Sequence, residues 1–438
     1  MTVRIRKRDV FYFLLLVLMA LVLARYGFQI NVPRMLLTVV LVLIAILGDK
    51  DEALAIALCC MPLHNAVNFY VSLVSCAVIY VLKNGKSMRF DLSILLIMAM
   101  VIWELTHCFT TEFNLKLFFV DVSTLVLLLV VLNTDLTDLD YTFIARIVSI
   151  VMVVISLVTL ILCYMEAGRN IVDTFSNLQR LGTLSTDDAL LGTAINPNAL
   201  GILSVLSVSS LFQIRQTEKK KRIDDALIVL LIVSALLTAS RTAVVCLCIM
   251  TFMLLMARRG RIVQKIRFIV AIVAMIAVIV LAYVYLFPEN FEYLLSRFES
   301  DDTGSGRTWI FEDYNQYMVE NLWVMFWGVG LNNFQEKVMT TYNMSTAVPH
   351  NGIQEIVVAW GIPGLILVTL LITVMIAQSK KYGTRKTLLN YIPLIILLSK
   401  SMAGQFITSG YTMLALAFAY LSLCQDFTPT DRLDNTSL

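Results

Sequence analysis

Long apolar runs recur along almost the whole of this chain, and they leave its backbone few options. They occupy 10–26, 33–48, 52–62, 66–82, 91–109, 116–132, 142–164, 190–213, 224–239, 241–257, 266–287, 353–377, 388–407 and 410–424. Hydrocarbon offers no partner to a free N–H or C=O, so a single segment inside it must satisfy its own backbone as a helix. About 20 residues suffice to cross. The chain has 438 residues, of which 59% are hydrophobic and 15% charged, where a soluble domain is about half apolar and a quarter charged. The expected fold is all-α: one polytopic membrane domain over 1–438, with about 12–14 transmembrane helices. No soluble catalytic domain is expected at either end. The run 52–62 is short for a span and reads as a half-helix paired with 66–82 around Pro62. The last two runs read as a tight hairpin around Ser409 and Gly410.

The N-terminus, "MTVRIRKRDV", places four basic residues before an apolar run. No small-residue cleavage site follows, so it reads as an uncleaved first span. The eight cysteines all fall in or beside apolar runs and read as packing residues, with Cys246 and Cys248 on different faces of one helix.

Lys and Arg in short loops set orientation. With fourteen spans and the N-terminus inside, the inner segments contain "RIRKR", "KNGKSMR", "RQTEKKKR", "RRGRIVQKIR" and "SKKYGTRK". Both termini are then cytoplasmic. Two outer segments are long, 165–189 and 288–352. Loops of such length are uncommon unless functional. Short amphipathic helices are expected in the second, lying along the membrane surface with Trp309, Trp323 and Trp327 at headgroup depth.

Polar and ionisable residues inside spans are costly and default to functional hypotheses. Arg241, Glu104, His107, Asp121, Lys400 and Gln405 all fall in the outer half by this topology. Their common depth on different helices suggests a shared polar cavity. Arg146 sits near the inner boundary and reads as a snorkelling anchor. Arg241 lies in "LLTASRTAVVCL", between two apolar runs with no proper loop, and Arg307 follows the glycines of "SDDTGSG". An arginine presents a planar fork of donors matched to phosphate oxygens. His350, one of only three histidines, stands where the longest polar loop meets an apolar run. Two outer arginines and a histidine suit an anionic leaving group and a proton transfer. The competing reading of His350 is a structural cap on the helix that starts near Gly352.

Four pieces of sequence resemble the O-antigen ligase and O-antigen polymerase family, which includes capsule and exopolysaccharide polymerases. They are "NPNALG" at 196–201, "ASRTA" at 239–243, "SGRTWIF" at 305–311 with "GVGLNNF" at 328–334, and "HNGIQEIVVAWGIPGL" at 350–365. They occur in the family's order and cover roughly residues 190–380. The resemblance implies a metal-independent, inverting glycosyltransferase of the bacterial cytoplasmic membrane, acting on the external face and needing no cofactor. Donor and acceptor would be glycans on undecaprenyl diphosphate. Arg241 and Arg307 match the arginines that hold the diphosphate, and His350 matches the histidine that activates the acceptor hydroxyl. Asn196, Asn198, Asn351, Glu355, Glu104 and Lys400 are the supporting polar candidates. Many members carry a glutamate shortly before the glycine of the last motif. Here the residues are Ala359-Trp360-Gly361, and Glu355, one turn earlier, is the candidate substitute.

A polymerase is the favoured activity, with membrane lipid and a chain-length regulator as partners and no nucleic acid. The alternative within the family is ligase-type transfer of the glycan to another acceptor. A transporter or flippase is the alternative outside it. That would need a polar path to both faces, whereas the intramembrane charges here cluster toward one.

Overall fold

The computed structural model describes residues 7–85, 88–108, 115–184, 191–217, 221–257, 307–331, 334–342, 349–383 and 386–426, with scattered helical positions between 263 and 292. The apolar runs become helices. The first half contains α1 (Lys7–Val22, continued by a wider π turn Leu23–Gly27), α2 (Arg34–Leu47), α3 (Lys50–Cys59), α4 (Phe69–Asn84), α5 (Leu92–Cys108), α6 (Leu115–Leu132) and α7 (Tyr141–Glu166). A short helix α8 (Ile171–Asn177) and the antiparallel hairpin β1 (Leu178–Arg180) and β2 (Thr183–Leu184) follow. The second half contains α9 (Pro197–Thr217), α10 (Arg222–Leu237), α11 (Arg241–Ala257), α12 (Arg307–Glu320), α13 (Leu322–Trp327), α14 (Phe334–Tyr342), α15 (Gly352–Ser379), α16 (Leu388–Ser401) and α17 (Thr412–Cys424). Four of the described helices are long and apolar enough to cross a bilayer, and seven shorter apolar helices accompany them. The chain is an all-α polytopic membrane protein.

Ion pairs and lysine–carbonyl contacts mark one end of the bundle. Arg8 pairs with Asp140 at 3.5 Å, Arg89 with Asp135 at 2.5 Å and Lys381 with Asp91 at 2.9 Å. Lys83 donates to the Ile46 and Gly48 carbonyls at the end of α2. These residues flank loops in which the sequence concentrates its positive charge, so the described basic segments collect at one end, as the orientation rule expects. At the same end Asp49 and Glu52 form a reciprocal capping box at the start of α3. The reading of 52–62 and 66–82 as a paired half-helix is borne out. The helix α3 has only 10 residues, and a turn through Pro62 returns the chain into α4.

The short helix α3 packs centrally because it is narrow. Its Ala53, Ala55 and Ala57 are fully buried, and so are Ala415, Ala417 and Ala419 of α17. Small side chains let helix backbones approach where lipid supplies no hydrophobic drive between helices. Cys246 is buried and Cys248 exposed, on two faces of α11 as expected.

Arg146 corrects the sequence reading. It does not snorkel. Its guanidinium grips Asp224 of α10 with Nε–Oδ1 at 2.8 Å and Nη2–Oδ2 at 2.9 Å, and the Asp224 side chain is 2% exposed. A forked pair of this kind satisfies both groups away from water. Sequence reasoning missed it because Asp224 follows the basic run 219–222 and reads there as a loop charge.

Candidate active site

The opposite end collects four helix starts. At α9, the Asn196 side chain accepts the Asn198 N–H at 2.9 Å, so this asparagine shapes the turn. Gly201 brings α9 against the α10–α11 junction: a Cβ there would stand 2.7 Å from Thr238 Oγ1 and 2.8 Å from Ala243 Cβ. The junction itself is tight. Ala239 has φ +47°, and Arg241 opens α11 two residues later. A non-glycine residue in the left-handed region is held there by its surroundings, at a cost of about 1–2 kcal/mol.

The helix α11 runs beside α16 in the opposite direction. Cys246 Sγ lies 3.7 Å from the Ile396 carbonyl. Both residues are five positions from a helix end, Arg241 in one case and Ser401 in the other, so those two ends are level. Gly352 then seats the start of α15 on the same place: a Cβ there would lie 2.8 Å from Phe406 Cβ and 3.1 Å from the Ser401 carbonyl. Gln354, in the first turn of α15, donates to the Phe311 carbonyl (2.9 Å) and to Asn315 Oδ1 (2.8 Å). Those residues belong to α12, whose first residue, Arg307, is one helical turn before Phe311. The helix that Arg307 opens is thus set beside α15; the side chain of Arg307 lies outside the described residues, as does that of Asp121.

His350 is half-buried and directly precedes this junction. The cap is not His350. Asn351 Oδ1 accepts the Ile353 N–H at 2.9 Å and the Gln354 N–H at 3.3 Å, which is the work of an N-cap. The capping reading of His350 is removed, and Asn351 has a structural task of its own.

Glu355 is fully buried and accepts hydrogen bonds from the Phe406 N–H, the Ile407 N–H (3.2 Å), the Thr408 N–H (2.7 Å) and the Thr408 hydroxyl. Lys400 donates to the Gln405 carbonyl and to Thr412 Oγ1 at 3.0 Å, and lies 5.0 Å from the Tyr411 ring centroid. Both charges therefore hold the loop 402–411; α16 ends at Ser401 and ten residues join it to α17, where the sequence reading expected a tight turn at Ser409 and Gly410. Neither is poised over open space.

Glu104 occupies a different place again. It is 2% exposed and accepts the Trp360 indole N–H at 2.6 Å and the Leu331 N–H at 3.1 Å. The carboxylate that meets Ala359-Trp360-Gly361 is thus Glu104 of α5, not Glu355, which corrects the expected substitution. It stands at a break in α15. Gly361 has φ +68°, and Pro363 has no N–H for the Ala359 carbonyl. Three carbonyls in a row find donors from outside the helix. Val358 receives the Val329 N–H at 3.0 Å, Ala359 the Gly330 N–H at 2.8 Å, and Trp360 the Trp103 indole at 2.9 Å. His107 closes the latch, its ring nitrogens 2.8 Å from the Trp103 carbonyl and 2.7 Å from the Trp327 carbonyl.

One neighbour of the site was not singled out in the sequence. A Cβ on Gly410 would lie 2.7 Å from His64 Nε2, and Asn65 donates its N–H to the Ala194 carbonyl at 3.1 Å. The turn 60–68 thus bridges the loop 402–411 to the segment before Asn196. The only early signal was the rarity of histidine in an apolar chain.

These contacts close a ring at one end: the 194–201 segment, the α10–α11 junction, the end of α16, the start of α15, the loop 402–411 and the 60–68 turn. Residues 226–369 match the family model described as O-antigen ligase. The chain carries an O-antigen ligase family domain. The matched segment contains Arg241, Arg307 and His350; Asn196, Asn198, Glu104 and Lys400 lie outside it. No curated protein is matched by the chain. The matched segment supports a membrane enzyme of glycan processing.

Proposed function

We propose that the chain is a glycosyltransferase that polymerises undecaprenyl-diphosphate-linked repeat units on the external face of the bacterial cytoplasmic membrane. What supports it is that the start of α15, next to His350, packs on the Ser401 end of α16 and on the Arg307-bearing helix α12, while Arg241 opens the helix that runs beside α16. Arg241 and Arg307 hold the donor diphosphate, whose departure builds negative charge that two guanidinium forks can carry. His350 takes the proton of the acceptor hydroxyl, a task for which an imidazole is chemically suited. Attack opposite the diphosphate inverts the anomeric carbon. Asn351 and Glu355 keep the first turn of α15 in place, while Lys400 and Asn196 shape the adjoining segments.

Purified protein in vesicles with lipid-linked repeat as sole substrate tests this. Polymer growing on the lipid diphosphate is expected. It should be lost in Arg241→Ala and poorly restored in Arg241→Lys, because an ammonium lacks the two-pronged geometry. Full activity of both variants would remove the diphosphate clamp. The family description favours a second reading, ligase-type transfer. It predicts no product until a separate glycolipid acceptor is added.

A further inference from the structure

We propose that α13 is a re-entrant wedge whose exposed side chains lie among the acyl chains of the bilayer leaflet at the His350 end. Its sequence, LWVMFW, has no charged residue. Leu322, Trp323 and Phe326 are 60%, 52% and 69% exposed, while Val324 faces inward and is fully buried. The depth of the helix is set by what it touches. A Cβ on Gly361 would stand 2.8 Å from the Phe326 carbonyl carbon and 2.9 Å from the Trp327 nitrogen. Gly361 is nine residues into α15, about 13 Å along the helix at 1.5 Å per residue. A helix lying flat at the headgroups, as the sequence suggested for Trp323 and Trp327, would sit level with the start of α15 instead.

The backbone agrees with this depth. Gly328, Val329, Gly330 and Leu331 donate their N–H groups in turn to the Val324 carbonyl, the Val358 carbonyl, the Ala359 carbonyl and Glu104. Irregular backbone at membrane depth is tolerated only when protein satisfies it in this way. A loop in water has no such need. The neighbouring surfaces identify the occupant. Ile362 and Ile366 of α15 and Ile102 of α5 are also exposed; these two helices pack against each other, α15 packs against α13, and α5 meets it through Trp103 and His107 at Trp327. Exposed side chains on spanning helices meet lipid, and the α13 face continues theirs. The inference rests on the membrane fold and not on the transferase reading.

Replacing Phe326 by the photoreactive p-benzoyl-phenylalanine, an aromatic for an aromatic, tests it in vesicles of phosphatidylglycerol and phosphatidylcholine. Irradiation should join this position to an acyl chain, identified by mass spectrometry of the adduct. Adducts confined to headgroups, adducts to another segment of this chain, or no adduct at all would overturn the proposal. A second measurement uses the native fold. Phospholipids brominated along their acyl chains should quench tryptophan emission, and Trp323→Phe should lose part of that quenching. Equal quenching in the parent and in Trp323→Phe would place the helix outside the hydrocarbon. Both readouts are independent of enzyme activity.

Discussion

His350 and Asn351 are adjacent in sequence, and their tasks can be separated by substitution. Asn351 caps α15 through two N–H groups. Losing such a cap costs about 1 kcal/mol, so Asn351→Ala should lower the melting temperature, and Asn351→Asp should restore it. His350→Ala should leave that temperature nearly unchanged while cutting turnover about 100- to 10,000-fold, the usual contribution of a general base. A melting curve and a turnover assay on the same three preparations check this. A His350→Ala enzyme that melts early but turns over normally would return the residue to a structural role. At the far end, the buried Arg146–Asp224 pair makes a prediction of its own. Asp224→Asn leaves a guanidinium largely buried without its charge partner, which costs about 3–5 kcal/mol. Denaturation in mild detergent should show that loss, and the double variant Arg146→Met with Asp224→Asn should recover part of it.

At the scale of elements, the decisive feature is the broken α15. An intact helix of 28 residues would keep its carbonyls to itself. The break at Gly361 and Pro363 frees three, and the Gly328–Leu331 segment and α5 take them up. Glycine is required where the two segments touch. Gly328 has φ +84°, and an added Cβ would collide with the Ala359 carbonyl. Gly168 has a similar φ of +74° but open space around it. Gly168→Ala should therefore cost only the conformational term, about 1–2 kcal/mol. Gly328→Ala should cost more and also loosen the segment that joins α13 to α15, so activity falls with stability. Thermal denaturation of the two variants side by side makes the comparison; equal shifts would show that the close approach carries no weight.

At the scale of the whole molecule, the prediction is topological. The basic segments and the His350 ring lie at opposite ends, so a cysteine placed at Lys220 and one placed at the exposed Thr340 of α14 should react with an impermeant maleimide from opposite sides of the membrane. Labelling of both from outside would reverse the placement of the site. The two ends also divide the electrostatics. Exposed pairs such as Arg8–Asp140 and Lys381–Asp91 lie at the basic end. At the other end Glu104 and Glu355 are buried and held by N–H and O–H donors from neighbouring segments.

The helical architecture and the alternation of charged and uncharged loops could be read from the amino-acid sequence because both follow from one-dimensional rules. An apolar run about 20 residues long must be a helix in lipid, and Lys and Arg density alternates with the crossings. Arg241 and His350 stood out for a related reason: each sits at a helix start, where the change from polar to apolar is abrupt, whereas Arg307 opens a polar helix and stood out through the glycines before it. What the sequence could not reveal was which polar residues are already spoken for. Glu355 and Glu104 looked alike as supporting polar candidates for the site. Only the fold shows that one holds the loop 402–411 and the other the break in α15. Arg146 looked like an interfacial anchor until α10 brought Asp224 to it. Hydrogen-bond partners that are 50 to 260 residues apart are chosen by helix packing, and packing depends on side-chain shape in three dimensions, which no local pattern encodes.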